Sequence, residues 1–413
     1  LEEIEEKNTE IADELVEPAI EQTEPEIEQV EPEIESVESE PAEVVSEPTE
    51  AKPELVEAKS EPTEDKPEFA EADVKQVEPE VIQAANTYNE EYYQNLREYK
   101  KTDHAICFGW YAGYTSEASP SQGLHFTGLP DSLDIVSLWS GIPSNNPAYV
   151  KTSYYNERYL PTAYEEMNYI RTVKGTRVVM CTICRIGSTE FPKTDAGIEA
   201  YALHLARCVL RNDLDGLDLD YEPEGDWLQN DNFTKFIKVL GNYFGPQSGT
   251  GKLLIVDFYN QLPPKETEPY VDYFVRQCYT TGSAQSLQSK FDQLSSWCPP
   301  EKFVATEQMG WYWQNGGVEF TEADGNKVDS WGNPIYSVIG MARWNPTQGR
   351  KGGFGGYYFE YEYNTTRPAN QAIGDKEKAA IPYYSLRRGI QEQNPAGKPV
   401  QQSTKQETEE ENG

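Results

Sequence analysis

Three carboxylates spaced two residues apart are the strongest chemical feature of this chain. They are Asp218, Asp220 and Glu222, and they lie in a run where leucines alternate with acids. On a β-strand, residues two apart point to one face, so these carboxylates would share a face. Like charges at close range raise at least one pKa, which predicts a protonated Glu222 acting as general acid, with Asp220 or Asp218 ionised behind it. The alternative is a solvated acidic loop.

Neighbouring elements must hold such a strand, and apolar runs of strand length do alternate with amphipathic runs of helix length over about 300 residues. The predicted strands are Ala105–Ala112, Asp134–Trp139, Arg177–Ile183, Gly216–Tyr221, Leu253–Phe258, Tyr273–Tyr279, Phe303–Glu307 and Gly355–Phe359. The predicted helices include Asp195–Leu210, Phe233–Phe244 and Leu287–Leu294. This pattern favours an α/β fold, a (β/α)8 TIM barrel, with Glu222 at the carboxyl end of a strand, where barrel active sites lie. The alternative is a doubly wound open sheet, but no GxGxxG opens the first helix.

The net charge of −36 is concentrated at the ends of the chain. Residues 1–80 carry 30 acidic and 5 basic residues, whereas residues 81–390 carry 36 acidic and 28 basic. Nucleic acid is not an expected partner, because phosphate binding needs a basic face, and the acidity also argues against attraction to an anionic membrane. We predict no metal or other cofactor: there is no calcium loop, and the CxxC of Cys181 and Cys184 lacks partners for a zinc site.

Composition divides the chain into three parts. Residues 1–85 are predicted to form a disordered acidic spacer, because recurring Glu-Pro steps oppose a helix and few apolar groups are available to bury. Residues 86–393 are predicted to form the barrel, and residues 394–413 a disordered tail. The six cysteines are expected to be buried thiols, with a disulfide between distant cysteines left open. No apolar run approaches the length of a membrane span.

The carboxylate run resembles a known family signature. Residues 215–222 read Asp-Gly-Leu-Asp-Leu-Asp-Tyr-Glu and match the DGxDxDxE pattern of glycoside hydrolase family 18, with the resemblance extending over about residues 97–393. That family contains chitinases and endo-β-N-acetylglucosaminidases on (β/α)8 barrels. The resemblance implies substrate-assisted retaining hydrolysis without a cofactor. Glu222 would protonate the glycosidic oxygen, the substrate's 2-acetamido carbonyl would attack the anomeric carbon, Asp220 would orient the acetamido group, and Asp218 would tune Asp220.

The sixth predicted strand indicates a branch of that family. Chitinases usually carry Met-x-Tyr-Asp there, whereas Gln277 and Tyr279 form a Gln-x-Tyr that resembles the endo-β-N-acetylglucosaminidase branch. By this resemblance Tyr279 donates a hydrogen bond to the acetamido carbonyl and Gln277 supports the reacting sugar. The eighth strand lacks the tryptophan that commonly floors the chitinase subsite, so Phe359 or Tyr361 is expected to replace it.

Further substrate-binding candidates lie at or near predicted strand ends, and for each the alternative is a purely structural position. They are Asp215, Trp110, Trp139, Asn260, Trp311, Trp313 and Trp344. The segment Asn315–Trp344 is predicted to be a long loop over a glycan site.

We therefore predict an endo-β-N-acetylglucosaminidase that hydrolyses the β-1,4 bond of the GlcNAc–GlcNAc core of N-glycans. The alternatives are a chitinase-like hydrolase and a non-catalytic glycan-binding protein on the same fold. The likeness to family 18 members of gut Bacteroidetes implies a secreted or cell-surface monomer. It would be tethered at a membrane surface through a segment that precedes Leu1.

Overall fold

The computed structural model describes residues 79–148, 157–223, 227, 231–329, 332–363 and 382–395. The predicted spacer and the predicted tail fall outside these ranges, except for residues 79–85 and 394–395, and their proposed roles stay predictions. A helix, Pro79–Lys100, begins inside the segment predicted as spacer. Within the described residues, the compact unit that contains the barrel begins at Asn86.

Parallel strands close into a barrel, which confirms the predicted (β/α)8 fold. In chain order the strands are β1 (Ile106–Tyr111), β2 (Ile135–Leu138), β3 (Ile142–Ser144), β4 (Glu157–Tyr159), β5 (Arg177–Ile183), β6 (Gly216–Tyr221), β7 (Leu253–Phe258), β8 (Tyr273–Gln277), β9 (Phe303–Gln308) and β10 (Gly353–Tyr357). The barrel order is β1-β10-β9-β8-β7-β6-β5-β2, and β2 pairs with β1 to close it. All eight predicted strands are present in it with small shifts at their ends. The short pair β3–β4 lies outside the barrel and was not predicted.

Helices alternate with the strands. They are α1 (Pro79–Lys100), α2 (Pro161–Thr172), α3 (Asp195–Arg211), α4 (Asn232–Leu240), α5 (Ala284–Asp292), α6 (Met309–Tyr312), α7 (Ser337–Arg343) and α8 (Tyr384–Gln393). Helix α3 begins where the sequence predicts, because the Thr194 side chain accepts the Gly197 N–H at 3.1 Å. The end of α1 is fixed to the barrel by Lys100, whose Nζ donates to the Leu133 carbonyl at 2.7 Å.

Alternation along the strands divides the core into two layers. The inner layer fills the barrel with Ile106, Phe108, Trp110, Ile135, Val179, Cys181, Leu253, Ile255, Val275 and Val304. The outer layer lies between strands and helices and includes Leu217 and Leu219 of β6. Because neighbours on a strand face opposite sides, β6 directs Asp218 and Asp220 into the barrel.

The predicted long loop Asn315–Trp344 is partly wrong. Near its end Ser337–Arg343 forms α7, in which residues 337–342 are buried against the barrel. The hydrophobic run of this helix is too short to show a clear period, so composition alone suggested a loop.

The cysteines bear out their prediction, because all six are free and buried. In the part of the chain that the structure describes, no helix combines the length and the apolar character needed to cross a bilayer.

Candidate active site

Strand β6 carries two of the predicted carboxylates into the barrel and ends beside the third. Asp218 is fully buried, Asp220 is 3% exposed, and Glu222 is exposed just beyond the carboxyl end of the strand. Gly216 begins the strand at φ 152°, where a Cβ would collide with the Leu253 carbonyl of β7. The glycine of the motif therefore allows β6 to approach β7, and the acids line up from the interior towards the mouth.

Asp218 is held by donors from across the barrel. Its Oδ2 accepts the indole N–H of Trp110 at 2.9 Å and the hydroxyl of Ser137 at 2.6 Å. Hydrogen bonds to a carboxylate favour its charged form, which is needed for a group that has lost all contact with water. Trp110 is itself only 3% exposed and positions Asp218, and its predicted contact with sugar stays a prediction.

The second group of contacts in the site joins side chains of β6, β7 and β8. The Gln277 side-chain amide donates to Oδ1 of Asp257 at 2.9 Å and approaches Oδ1 of Asp220 at 3.5 Å. Asp257 is opposite Asp220 in the strand register and is almost fully buried. Sequence reasoning missed Asp257. Its signal was a single acid in the apolar run Leu253–Phe258, at a position that shares the inward face with Leu253 and Ile255.

Burial and mutual repulsion set the charge of these acids. Burial raises the pKa of Asp218 to about 6. Burial, and then the charges of Glu222 and Asp218, raise the pKa of Asp220 to about 7. The pKa of Asp257 is raised well above its usual value, again mainly by burial. The structure thus raises the pKa of all three aspartates behind Glu222, and burial is the largest cause for each.

Aromatic rings form a row around the mouth of the site. The Tyr279 ring stacks between Tyr259 and Tyr357, with centroids 6.4 Å away on either side, and Trp139 meets the edge of Tyr357 at 5.5 Å. Burial raises the pKa of the Tyr279 hydroxyl, and the nearby charges of Asp257 and Asp220 add to this effect, so the phenol stays protonated as a donor. Tyr279 and Trp139 thus lie where predicted. Tyr259 and Tyr357 were not predicted.

A family model supplies the deciding comparison. The model described as glycoside hydrolase family 18, BT1044-like, matches residues 70–375. The chain belongs to glycoside hydrolase family 18. It is therefore a glycoside hydrolase, as the residues of β6 predicted.

Individual relatives agree with this assignment. Endo-β-N-acetylglucosaminidase F2 of Elizabethkingia meningoseptica is 29% identical over 279 residues, which cover 64% of this chain and 76% of that protein. Among solved structures, BT1044 matches with a TM-score of 0.58 at 23% identity, covering 75% of this chain and 93% of that one. An endo-β-N-acetylglucosaminidase from Cordyceps militaris matches with a TM-score of 0.51 at 23% identity, covering 74% and 96%. A substituted form of it, in complex with fucosyl-N-acetylglucosamine-Asn, gives 0.50 at 22% identity, covering 73% and 95%. At these identities the structures show a shared fold.

Four more of the predicted residues lie around or beyond the carboxyl ends of the family 18 barrel. Trp313 and Tyr361 meet at a cavity of about 390 Å³. Its lining consists of Ser121, Gly123, Leu124, Trp313, Glu360, Tyr361 and Tyr363. Trp311 is 69% exposed and does not line this cavity, and Asn260 is exposed just after β7. The cavity is linked to the central row of rings through Tyr358, which contacts both Tyr357 and Tyr361.

Two other predicted sugar contacts are wrong because their side chains are built into the core. Phe359 is fully buried and packs against Tyr111 and Tyr383. Trp344 follows α7, is 7% exposed and packs its edge on Phe303, the first residue of β9, so it lies at the amino end of the barrel. Tyr357, the last residue of β10, occupies the mouth instead of Phe359.

Asp215 is also wrongly predicted as a substrate ligand. It precedes β6 at the amino end, where both oxygens accept from the Arg171 guanidinium, at 2.8 and 3.0 Å, and Oδ2 accepts the Val178 N–H at 2.8 Å. The first acid of the motif therefore ties α2 to β5 and β6 rather than contacting sugar.

One group among the described residues offers three atoms of metal-ligand type. The thiol of Cys181 and one oxygen each of Asp218 and Asp257 lie within 4.8 Å of one another. Burial raises the pKa of the Cys181 thiol well above its usual value, and a protonated thiol is a poor ligand. Three buried groups, one of them a thiol, also fall short of the four ligands of a structural zinc site.

The buried acids should make stability depend on pH. Because the pKa of Asp220 rises from 3.8 to about 7 on folding, the folded state binds more protons than the unfolded chain between these values. The proton on Asp220 therefore contributes fully to the free energy of unfolding below about pH 4, and this contribution is lost as the pH rises through about 7. We expect Asp220→Asn to match the wild type near pH 4 and to exceed it near pH 8, by on the order of 1 kcal/mol or more. Urea unfolding at both pH values measures this, and parallel pH dependences would contradict it.

The Asp215 contact should matter for stability alone. Asp215→Asn removes the charge that the part-buried Arg171 faces, and we expect the free energy of unfolding to fall by about 2 kcal/mol. The matched control is Asp213→Asn, since Asp213 is 3.7 Å from the same guanidinium but its side chain is 84% exposed. It should cost at most about 0.5 kcal/mol. Equal losses in urea unfolding of the two variants would show that the contact is not specific.

Proposed function

We propose that this family 18 enzyme is an endo-β-N-acetylglucosaminidase that hydrolyses the β-1,4 bond of the GlcNAc–GlcNAc core of N-glycans. The observation that carries the proposal is the amide of Gln277 beside Asp220, with Tyr279 following on the same inward face. This combination replaces the Met-x-Tyr-Asp of the chitinase branch. The F2 enzyme and the Cordyceps militaris enzyme, which carry this name, support the same branch.

In the proposed mechanism the substrate supplies the nucleophile. Glu222, exposed at the mouth, gives its proton to the glycosidic oxygen as the bond to the anomeric carbon breaks and its electron pair moves to that oxygen. The carbonyl oxygen of the 2-acetamido group forms a new bond to the anomeric carbon, giving a cyclic oxazolinium ion. Water then attacks the anomeric carbon and gives a proton back to Glu222, while the bond from that carbon to the acetamido oxygen breaks and its electron pair returns to the acetamido group, so that configuration is retained.

The residues behind Glu222 manage the positive charge of that intermediate. With a pKa of about 7, Asp220 is ready to ionise at neutral pH when a cation forms beside it. Its carboxylate would accept the acetamido N–H, while the Tyr279 hydroxyl donates to the acetamido oxygen. Asp218 adds a second negative charge below, and its two donors keep it in place.

Aromatic rings would bind the sugar faces. The row of Tyr259, Tyr279 and Tyr357, closed by Trp139, borders the carboxylates and offers apolar surface beside hydrogen-bonding groups, as carbohydrate and other ligand sites do. The cavity at Trp313 and Tyr361 would take a branch of the glycan that extends past the reacting sugar.

Removing the acid tests the reaction. We expect Glu222→Gln to lower kcat on an N-glycopeptide by about 10²-fold or more while the glycopeptide still binds. Wild-type enzyme should leave one GlcNAc on asparagine, as measured by mass spectrometry.

The control is Glu301→Gln, an exposed acid at the amino end, which should retain wild-type rates. Near wild-type rates for Glu222→Gln would contradict the mechanism. Release of products from chitooligosaccharides but not from glycopeptides would support a chitinase, and binding without turnover would support a lectin-like protein.

The Trp313 cavity predicts a separate effect on substrate affinity. We expect Trp313→Ala to raise KM for a branched N-glycopeptide about fivefold with little change in kcat, because a stacked ring contributes roughly 1 kcal/mol. Trp311→Ala is the matched control, since Trp311 is two residues away but does not line the cavity. The comparison uses steady-state kinetics on branched and trimmed glycopeptides. An equal rise in KM for both variants would exclude the cavity as a branch site.

A further inference from the structure

Two oxygens in the interior of the barrel lack hydrogen-bond donors. They are Oδ1 of Asp218 and Oδ2 of Asp257, and both are buried. The other oxygen of each group is satisfied: Asp218 Oδ2 accepts from Trp110 and Ser137, and Asp257 Oδ1 accepts from Gln277. A buried carboxylate oxygen without a donor is costly, so this pair requires an explanation.

The two carboxyl groups are close to each other. One oxygen of Asp218 and one of Asp257 lie within 4.8 Å, and they come from adjacent strands, with Asp218 opposite Ile255 in the register of β6 and β7. If both groups were ionised, two negative charges would face each other away from water. A proton on Oδ2 of Asp257, directed at Oδ1 of Asp218, would satisfy both oxygens at once and remove one charge.

We propose that Asp257 is a neutral carboxylic acid in the working enzyme and a positioning residue, whose O–H donates to Asp218 and holds Asp218 as the anion. This deepens the mechanism proposed above for the same site. Of the two, Asp218 is the better anion because it already accepts two hydrogen bonds, whereas Asp257 accepts one from an amide. Burial raises the pKa of both groups; the hydrogen bond from Asp257 opposes this rise at Asp218, whereas the charge of Asp218 adds to it at Asp257.

The neutral acid also acts on Asp220. The Gln277 amide is shared between Asp257 and Asp220, and Asp220 and Asp257 are register partners. With Asp257 uncharged, the charges of Glu222 and Asp218 oppose the ionisation of Asp220, and the nearby Arg185 guanidinium favours it. The remaining titratable groups near Asp257 are the thiols of Cys181 and Cys184 and the phenol of Tyr279, which burial keeps neutral.

Infrared spectroscopy reports the proton directly and needs no substrate. Near pH 8, above the pKa of about 7 of Asp220, the wild type should show the C=O stretch of a protonated carboxylic acid. Asp257→Asn should lose this band, while the control Asp272→Asn should retain it. Asp272 is a half-buried acid with a raised pKa, but it lies at the amino end, where it accepts the Leu254 N–H at 2.8 Å. Persistence of the band in Asp257→Asn would overturn the proposal, and so would a stoichiometric metal ion in the purified wild type.

Kinetics then tests the role. Asparagine keeps a donor for Asp218 and an acceptor for Gln277, so Asp257→Asn should lower kcat by only about threefold and leave the acid limb of kcat/KM in place. Asp257→Leu removes both the donor to Asp218 and the acceptor for Gln277, so Asp218 should then share the proton of Asp220. We expect the acid limb of the kcat/KM profile to move to higher pH and kcat to fall at least about thirtyfold, with little change in KM. Equal effects of the two variants would overturn the role. If chitooligosaccharides prove to be the substrate, the same profile is measured on them, so failure of the proposed function and failure of this inference are distinguishable.

Discussion

The burial of negative charge inside an apolar barrel is the constraint on which the rest of the site depends. Asp218 has no contact with water, and Trp110 and Ser137 stabilise its charge by donating to it from β1 and β2. These donors fix the position of the carboxylate relative to Asp220, and Asp220 in turn lies two residues before Glu222. A substitution at any of these contacts therefore changes the charge next to the reacting sugar. The barrel acts as a rigid frame that presents carboxylates at fixed depths.

Closure of the barrel allows several carboxylates to be held at successive depths inside it. In a strand the side chains alternate strictly, so every second residue of β6 faces the interior, while Leu217 and Leu219 bind the strand to the outer helices. Glycines then set the spacing between strands: a Cβ at Gly216 would meet β7, and a Cβ at Gly355 would meet the Phe108 carbonyl of β1. The large outer layer supplies hydrophobic stabilisation that offsets the cost of the acids within. Function here lowers stability locally, and the surrounding core compensates for it.

The parts of this protein that follow a period were predictable from the sequence, and the parts set by irregular backbone were not. The period of two located the acids of β6 and the pair Gln277 and Tyr279, and apolar runs located all eight barrel strands. Phe359 has the same parity as Tyr357, but Tyr358 turns the chain at φ 54° into a short 3₁₀ segment and buries the ring. Trp344 was assigned to a loop because the short helix α7 before it carries no clear pattern. Asp257 was overlooked because one acid in an apolar run shows its importance only when the neighbouring strand is known.

The glutamine of the Gln-x-Tyr pair has a physical reason in this arrangement. Oδ1 of Asp257 needs a hydrogen-bond donor, and Asp220 needs a neighbouring donor that does not oppose its ionisation. The amide of Gln277 serves both groups without adding charge. An acid at position 277 would add a fourth titratable group beside Asp218, Asp220 and Asp257, whose pKa values burial already raises. A methionine there would leave Oδ1 of Asp257 without a donor in a dry interior, which is costly. Asp257 on β7 and Gln277 on β8 therefore depend on each other.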